Sequence, residues 1–379
     1  MKKLVILAAA LAQLSFAAAQ TAPRARDLGV PFDGTPGPLN AITDVEGVTV
    51  GHKTIIKDLR GGHAVRTGVT AILPRGEKTL DKDVFAGVFS LNGNGEMTGA
   101  HWIEESGFLE GPVMITNTHS VGAVHEGVIK WRIKQAGPDA SGYWWSLPVV
   151  AETWDGDLND INGFHVKEKH VAAALDKAKA GPVAEGNVGG GTGMICHEFK
   201  CGIGTSSRRA GGYTIGVLVQ ANYGMRDPLR IAGVPVGQHL RNDRIFSEDD
   251  PTAAESGSII IVIATDAPLL PQQLKRIAKR AALGLGRMGS YAGNGSGDIF
   301  IAFSTAEMDK GDGALWRLSR LDNGALDPLF LATANATEEA VVNAMVAARD
   351  MTGNEGHYAK AIDHEALRAV LKQYGRLAE

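Results

Sequence analysis

A layered α/β fold, with sheets in the middle and helices outside, is what this sequence predicts, and three observations carry the prediction. Short apolar, β-branched runs recur along the whole chain, segments of helical periodicity interleave with them, and the 48 glycines gather at the ends of the apolar runs. Glycine in such places suits turns and close backbone approach in a sheet protein. In chain order, strands are expected over 42–51, 67–74, 84–91, 112–118, 147–152, 212–221, 258–265 and 297–304. Helices are expected over 121–135, 166–180, 272–285 and 337–350. In the third helix Leu274, Ile277, Ala278, Ala281, Ala282 and Leu285 make a one-sided stripe that must lie on a sheet. The fourth is expected to start at Thr337 as N-cap, with Glu338 and Glu339 in the first turn, where carboxylates favour the helix dipole.

The opening Met1-Lys2-Lys3, the apolar stretch Leu4 to Phe16 and the small residues Ala17-Ala18-Ala19 have the three zones of a secretory signal peptide, and the stretch is too short to span a membrane. Residues 1–19 are therefore expected to be removed. The remaining 20–379 are expected to form a single catalytic domain exported to the periplasm or secreted. No other segment approaches the ~20 apolar residues of a spanning helix, so no membrane partner is expected. A net charge of −4 with scattered basic residues gives no electrostatic case for nucleic acid.

Cys196 and Cys201 fit either a small-loop disulfide or two thiols. No second Cys or His pair has the spacing to complete a metal site around Cys196-His197-Glu198-Phe199-Lys200-Cys201, and neither metal nor cofactor is expected. Gly284-Leu285-Gly286-Arg287-Met288-Gly289 matches a dinucleotide fingerprint in letters only, because it follows a helix instead of opening one. There is no Gly-x-Ser-x-Gly elbow, and His125-Glu126 lacks the second His of a zinc protease helix.

The chemistry concentrates elsewhere. Gly257-Ser258 stands directly before Ile259-Ile260-Ile261-Val262-Ile263-Ala264, an apolar run that reads as a buried strand, so Ser258 sits at the mouth of a core. Were the chain cut before it, Ser258 would carry both a nucleophilic hydroxyl and a base, since a free α-amino group titrates at ~7.7–8.0. The segment 241–257, rich in Asp, Glu and Ser, is the natural surface stretch that a cleavage site needs beside it. A second glycine-rich turn, Gly293-Asn294-Gly295-Ser296-Gly297-Asp298, feeds another buried strand. Ser296 and Asp298, two apart in extended chain, project to one face and put a hydroxyl beside a carboxylate. Val149-Val150-Ala151-Glu152-Thr153-Trp154 delivers an acid and an indole to a strand end, and Val217-Leu218-Val219-Gln220-Ala221-Asn222 delivers an amide able to donate two N–H bonds.

With these segments, and with Gly47-Val48-Thr49-Val50-Gly51-His52, Asn92-Gly93-Asn94-Gly95-Glu96-Met97, Thr116-Asn117-Thr118, Gly189-Gly190-Gly191-Thr192-Gly193-Met194, Gly202-Ile203-Gly204-Thr205-Ser206-Ser207-Arg208 and Gly353-Asn354-Glu355-Gly356-His357 in the same order, nearly the whole chain past the signal resembles one family. That family is the self-cleaving aminopeptidases, which include the β-peptidyl aminopeptidases and the L-aminopeptidase/D-amino-acid esterase-amidases. The resemblance implies a four-layer αββα sandwich, similar to N-terminal-nucleophile hydrolases but differently connected. It implies cleavage at Gly257-Ser258 into an α subunit, 20–257, and a β subunit, 258–379, assembled as a homo-oligomer of processed heterodimers. By position it implies Ser258 as nucleophile, Ser296 and Asp298 as the supporting pair, Asn222 as oxyanion donor, and Glu152 as the carboxylate that receives the substrate's free amino group. Trp154 departs from the Tyr of the esterase-amidase type; an indole has one N–H and no hydroxyl.

The expected activity is removal of N-terminal β-amino acids from short peptides and amides. A general L-aminopeptidase or D-esterase of the same family is the alternative. An acyltransferase of the ornithine acetyltransferase kind is disfavoured because its nucleophile is a Thr, and a binding protein would leave the chain uncut.

Overall fold

The structure, a computed structural model, describes residues 23–76, 82–136, 145–242, 244–245, 256–308 and 317–378. The expected signal peptide, 1–19, and most of the expected surface stretch 241–257 lie outside the described residues.

The strands are β1 (Thr49–Asp58), β2 (Ala64–Leu73), β3 (Val84–Gly93), β4 (Phe108–Leu109), β5 (Val113–Asn117), β6 (Val149–Thr153), β7 (Ile195–Cys196), β8 (Phe199–Lys200), β9 (Ile203–Ala210), β10 (Tyr213–Asn222), β11 (Ser256–Thr265), β12 (Gly295–Ser304), β13 (Met351–Thr352) and β14 (Tyr358–Ala359). The helices are α1 (Ala100–Ser106), α2 (Val121–Ala136), α3 (Glu168–Leu175), α4 (Val236–His239), α5 (Pro271–Arg287), α6 (Asp327–Val346) and α7 (His364–Gln373). One sheet has the order β4-β3-β12-β11-β10-β9 and the other β1-β2-β5-β6.

Side-chain alternation along the strands builds the layers. Ile259, Ile261 and Ile263 of β11 pack with Leu274, Ile277 and Ala281 of α5 and with α6, while Ile260, Val262 and Ala264 pack against Ile72, Ile115 and Ala151 of the other sheet. On the far side of that second sheet Val69, Ala71, Met114 and Val150 meet Val124, Val128 and Trp131 of α2 and Val171 and Leu175 of α3. The result is helix, sheet, sheet, helix, the αββα sandwich. A strand buried on both faces has no polar face to show, which is why β11 reads as an unbroken apolar run.

Three expectations are corrected. Residues 42–44 form a 3-10 turn, and the strand there starts at Thr49 and continues to Asp58 as an edge paired antiparallel to β2. β9 was not expected as a strand, because Thr205, Ser206, Ser207 and Arg208 are polar yet buried. Each finds an internal partner, Ser206 Oγ donating to Ala336 O at 2.6 Å and Ser207 Oγ to Asp44 at 2.6 Å. The fourth expected helix, α6, begins ten residues before Thr337, at Asp327, with a Pro in its first turn. Thr337 is interior, its hydroxyl donating to Thr333 O one turn back at 2.8 Å, so it caps nothing.

Glu339 consequently lies mid-helix and fully buried. It accepts from Arg208 at 2.6 Å, from Arg26 at 2.8 Å through both oxygens, and from Asn40 at 2.6 Å. Arg208 is itself buried, on the strand against which α6 is pressed so closely that a Cβ on Gly204 would come within 1.9 Å of Ala340 O. Burial alone would raise the Glu339 pKa, but the bonds and charges of Arg26 and Arg208 outweigh it and hold the carboxyl below its ordinary value. Glu339→Gln leaves two arginines facing a neutral group, and urea denaturation at pH 7 should find the variant less stable by about 3–5 kcal/mol. A group with a depressed pKa stabilises above its unfolded value and loses that contribution as pH falls through the folded one, so the gap between the two proteins should narrow on acidification.

Candidate active site

Ser258 lies third in β11 and is held on both sides. The strand starts two residues earlier than expected, at Ser256, so Gly257-Ser258 is itself inside the sheet. Ser258 stands opposite Asn222 of β10 in antiparallel register and opposite Gly297 of β12 in parallel register. Directly opposed residues share a face with Cβ atoms ~4.5–5.5 Å apart, so the Asn222 amide and the Ser258 hydroxyl are neighbours on the side facing the other sheet. The hydroxyl oxygen of Ser258 accepts from the Gly297 N–H at 3.3 Å.

Gly257 is required by proximity. A Cβ there would lie 2.2 Å from the carbonyl oxygen of Asn222. Its φ is not in the left-handed region, so the residue is demanded by how closely β10 crosses the Gly257–Ser258 peptide and not by a backbone conformation closed to other residues.

Ser296 and Asp298 are both fully buried, and the Ser296 hydroxyl donates to Asp298 Oδ1 at 2.7 Å, as the two-residue spacing implies. Ser296 pairs with Gly257 and Asp298 with Ile259, so the two bracket Ser258 along the adjacent strand. Because Ile299, Ile301 and Phe303 face the other sheet, alternation turns Ser296 and Asp298 to the opposite side from the Ser258 hydroxyl. The pair therefore flanks the backbone of the Gly257–Ser258 junction.

Asn222 has its oxygen committed, since the Ile195 N–H donates to Oδ1 at 2.8 Å. A backbone N–H can only donate, so the atom it meets is the amide oxygen, and what Asn222 has to offer a ligand is its NH2 group.

Glu152 is 3% exposed at the end of β6. The Glu96 N–H donates to its Oε1 at 3.0 Å and the Thr118 hydroxyl to its Oε2 in a short bond. Among the described residues no Lys or Arg pairs with it. Burial raises its pKa above the ordinary value, and the bonds from Thr118 and the Glu96 N–H oppose that rise.

These residues surround one cavity of about 690 Å³, which Ser258, Asn222, Glu152, Thr118 and Trp154 line together. Glu96, Asp157 and Glu198 line it as well, and among the described residues no basic side chain does. Such a lining favours a cationic ligand. Trp154, 41% exposed, forms part of the wall with its ring edge-on to His119 at 5.6 Å, and His119 in turn stacks on Phe164 at 5.9 Å. Sequence reasoning had noted Thr116-Asn117-Thr118 without giving it a task, and it missed the Gly297 and Ile195 N–H groups entirely. Backbone donors leave no signature in residue type.

The family model of peptidase family S58 matches residues 40–359. The β-peptidyl aminopeptidase BapA of Sphingosinicella microcystinivorans is 52% identical, covering 96% of each chain. Among solved structures, the L-aminopeptidase D-Ala-esterase/amidase of Ochrobactrum anthropi, described as a variant of the Ntn hydrolase fold, superposes with a TM-score of 0.86 at 53% identity, covering 94% of this chain and 100% of that one. A β-aminopeptidase from a Burkholderia species gives 0.85 at 48% identity, covering 93% and 99%.

Proposed function

The chain belongs to peptidase family S58 and is a serine-type aminopeptidase of the Ntn-hydrolase kind, and from that premise we propose that it is exported, cuts itself before Ser258 and then removes N-terminal β-amino acids from short peptides and amides. The observation that carries the reading is the juxtaposition, in one acidic cavity, of Ser258 with a buried carboxylate, Glu152, that has hydrogen-bond donors but, among the described residues, no Lys or Arg partner.

In maturation Ser258 Oγ adds to the Gly257 carbonyl carbon, the Gly257–Ser258 amide breaks as its nitrogen takes a proton, and water hydrolyses the resulting ester to leave Gly257 as a carboxylate. The freed α-amine lies where Ser296 and Asp298 bracket the strand, and that hydrogen-bonded pair holds it. In turnover the substrate's ammonium sits on Glu152, and Ser258 Oγ attacks the first carbonyl while its own amine takes the proton and later hands it to the departing amine. The Asn222 NH2 meets the developing oxyanion, a contact whose removal typically costs ~2.7–4 kcal/mol. Trp154 lacks a hydroxyl, so this contact falls to Asn222. Water then releases the acyl group. The processed chains assemble as an oligomer of heterodimers.

The β preference is supported by the similarity to BapA and by geometry. An added methylene moves the ammonium away from the reacting carbonyl, and ~1 Å of misplacement can cost ~10²-fold. The similarity to the Ochrobactrum enzyme supports the second reading, an L-aminopeptidase/D-esterase.

Intact mass of the purified protein should find a fragment running from Ser258 to Glu379, and Ser258→Ala should abolish both processing and turnover. A fully active uncut chain sinks the proposal. Kinetics on β-alanyl, L-alanyl and D-alanyl p-nitroanilides should give the highest kcat/KM for the β-alanyl compound; a tenfold lead for L-alanyl hands the case to the second reading. N-acetylated substrates should be inert. Since the Glu152 pKa is raised above 4.5, its carboxylate is lost on acidification sooner than that of an exposed Glu, so KM should climb as pH falls through that raised value. Glu152→Gln should raise KM at pH 7 by about 10- to 100-fold and remove the acid limb of KM.

A further inference from the structure

The hairpin β7–β8 lines the cavity with Ile195 and Glu198 and donates to Asn222 through the Ile195 N–H, and its construction serves to fix that donor. Cys196 and Cys201, both fully buried, are joined by a disulfide that closes the hairpin. The buried Lys200 Nζ donates to Met194 O at 2.7 Å and to Cys201 O at 2.6 Å, tying together the residues that flank the hairpin on either side. Its two-residue tip, His197 and Glu198, is held at φ 49° and 59°, a left-handed conformation that non-glycine residues adopt only when their surroundings impose it. The surroundings do so. The His197 N–H donates to Tyr223 O at 2.7 Å, and Arg226 grips the His197 carbonyl at 2.9 Å, the Glu198 carbonyl, and the face of Phe199 at 3.3 Å. The tip is thus clamped to the segment that directly follows Asn222, and the residue that starts the hairpin, Ile195, presents its N–H to Asn222 Oδ1.

We propose that the Cys196–Cys201 hairpin is a positioning element for the reaction, which through the Ile195 N–H holds the Asn222 amide with its NH2 turned toward the substrate carbonyl. An Asn side chain left to itself can rotate about its last bond and exchange oxygen for nitrogen. Turned around, it would set an acceptor against the developing oxyanion. The Ile195 N–H forbids that orientation, and the disulfide keeps Ile195 in place. Closing the loop covalently removes the freedom that a two-residue tip in an unfavourable conformation would otherwise seek.

This rests on the reading of Asn222 as the oxyanion donor, and the test separates the two. Cys196→Ala/Cys201→Ala, Asn222→Ala and the triple variant are compared with the unaltered enzyme for extent of self-processing and for kcat and KM on a free-amine p-nitroanilide. The double cysteine variant should be folded by circular dichroism, show KM within twofold and lose kcat by roughly 10-fold, up to the ~10²-fold that ~1 Å of misplacement can cost. In whichever of processing or kcat Asn222→Ala is impaired, the triple variant should be no worse than Asn222→Ala alone, because there is no amide left to misplace. An unchanged kcat in the folded cysteine variant, a loss confined to KM, or losses that add in the triple variant overturn the proposal and leave the role of Asn222 standing. Full processing and full kcat in Asn222→Ala sink the underlying reading instead. Should the cysteine variant not accumulate, the processed enzyme is reduced and its thiols alkylated, and kcat is expected to fall in proportion to the opened fraction read by mass spectrometry; a fully opened enzyme at full kcat refutes the proposal.

Discussion

The pairing of β11 between β10 and β12 is the constraint on which the site depends. Because Ile259, Ile261 and Ile263 are buried against helices and Ile260 and Val262 against the second sheet, the strand has no neutral direction in which to slip. A shift of one residue would exchange the two apolar sets and turn Ser258 to the other face. The same register that satisfies the core therefore sets Asn222, Ser258 and Gly297 in one row and places Ser296 and Asp298 on either side of it. The Gly257–Ser258 junction inherits the rigidity of a central strand, and its crowding against the Asn222 carbonyl follows from strand spacing rather than from any local turn.

That dependence explains what could be read in the sequence. Several elements whose stability comes from apolar faces were legible, β11 and β12 from their runs, α5 from its stripe and α2 almost to the residue, whereas α7, with Leu367, Val370 and Leu371 buried, was not expected. Two of the failures are elements whose burial is largely polar or all round. β9 is stabilised by hydroxyls and an arginine with internal partners, and α6 is buried nearly all round, so it has no one-sided stripe to announce its start. Among site residues the side chains could be nominated because chemistry restricts their types. Their distances and the backbone donors that fix Ser258 and Asn222 depend on which strands become neighbours and on the β7–β8 hairpin, neither of which is legible from residue type alone.

Glu152 shows how such a site is tuned. Two donors, a hydroxyl and a backbone N–H, partly offset the cost of burying its carboxylate, and among the described residues no Lys or Arg offsets the rest. A permanent arginine partner would occupy the position that a substrate ammonium takes in the proposed reading. The contrast with Glu339 is instructive, since there the same residue type, equally buried, is given two arginines and serves only to join α6 to β9 and to the N-terminal segment.

The order β4-β3-β12-β11-β10-β9 has one more implication. The two strands that follow Ser258 occupy the middle of the sheet, with strands from the preceding part of the chain on both flanks. Division of the backbone at that point would leave two polypeptides woven together through the six-stranded sheet, with the clusters on both of its faces built from both pieces. Separation would require two ladders to break at once, and reunion would be a bimolecular search by two incomplete pieces. The divided protein would persist because its escape barrier is high rather than because its folding equilibrium is favourable, so its lifetime would be governed by an unfolding rate. Heating such a molecule past its transition would be a one-way event, whereas the uncut precursor, still a single chain, keeps its route back.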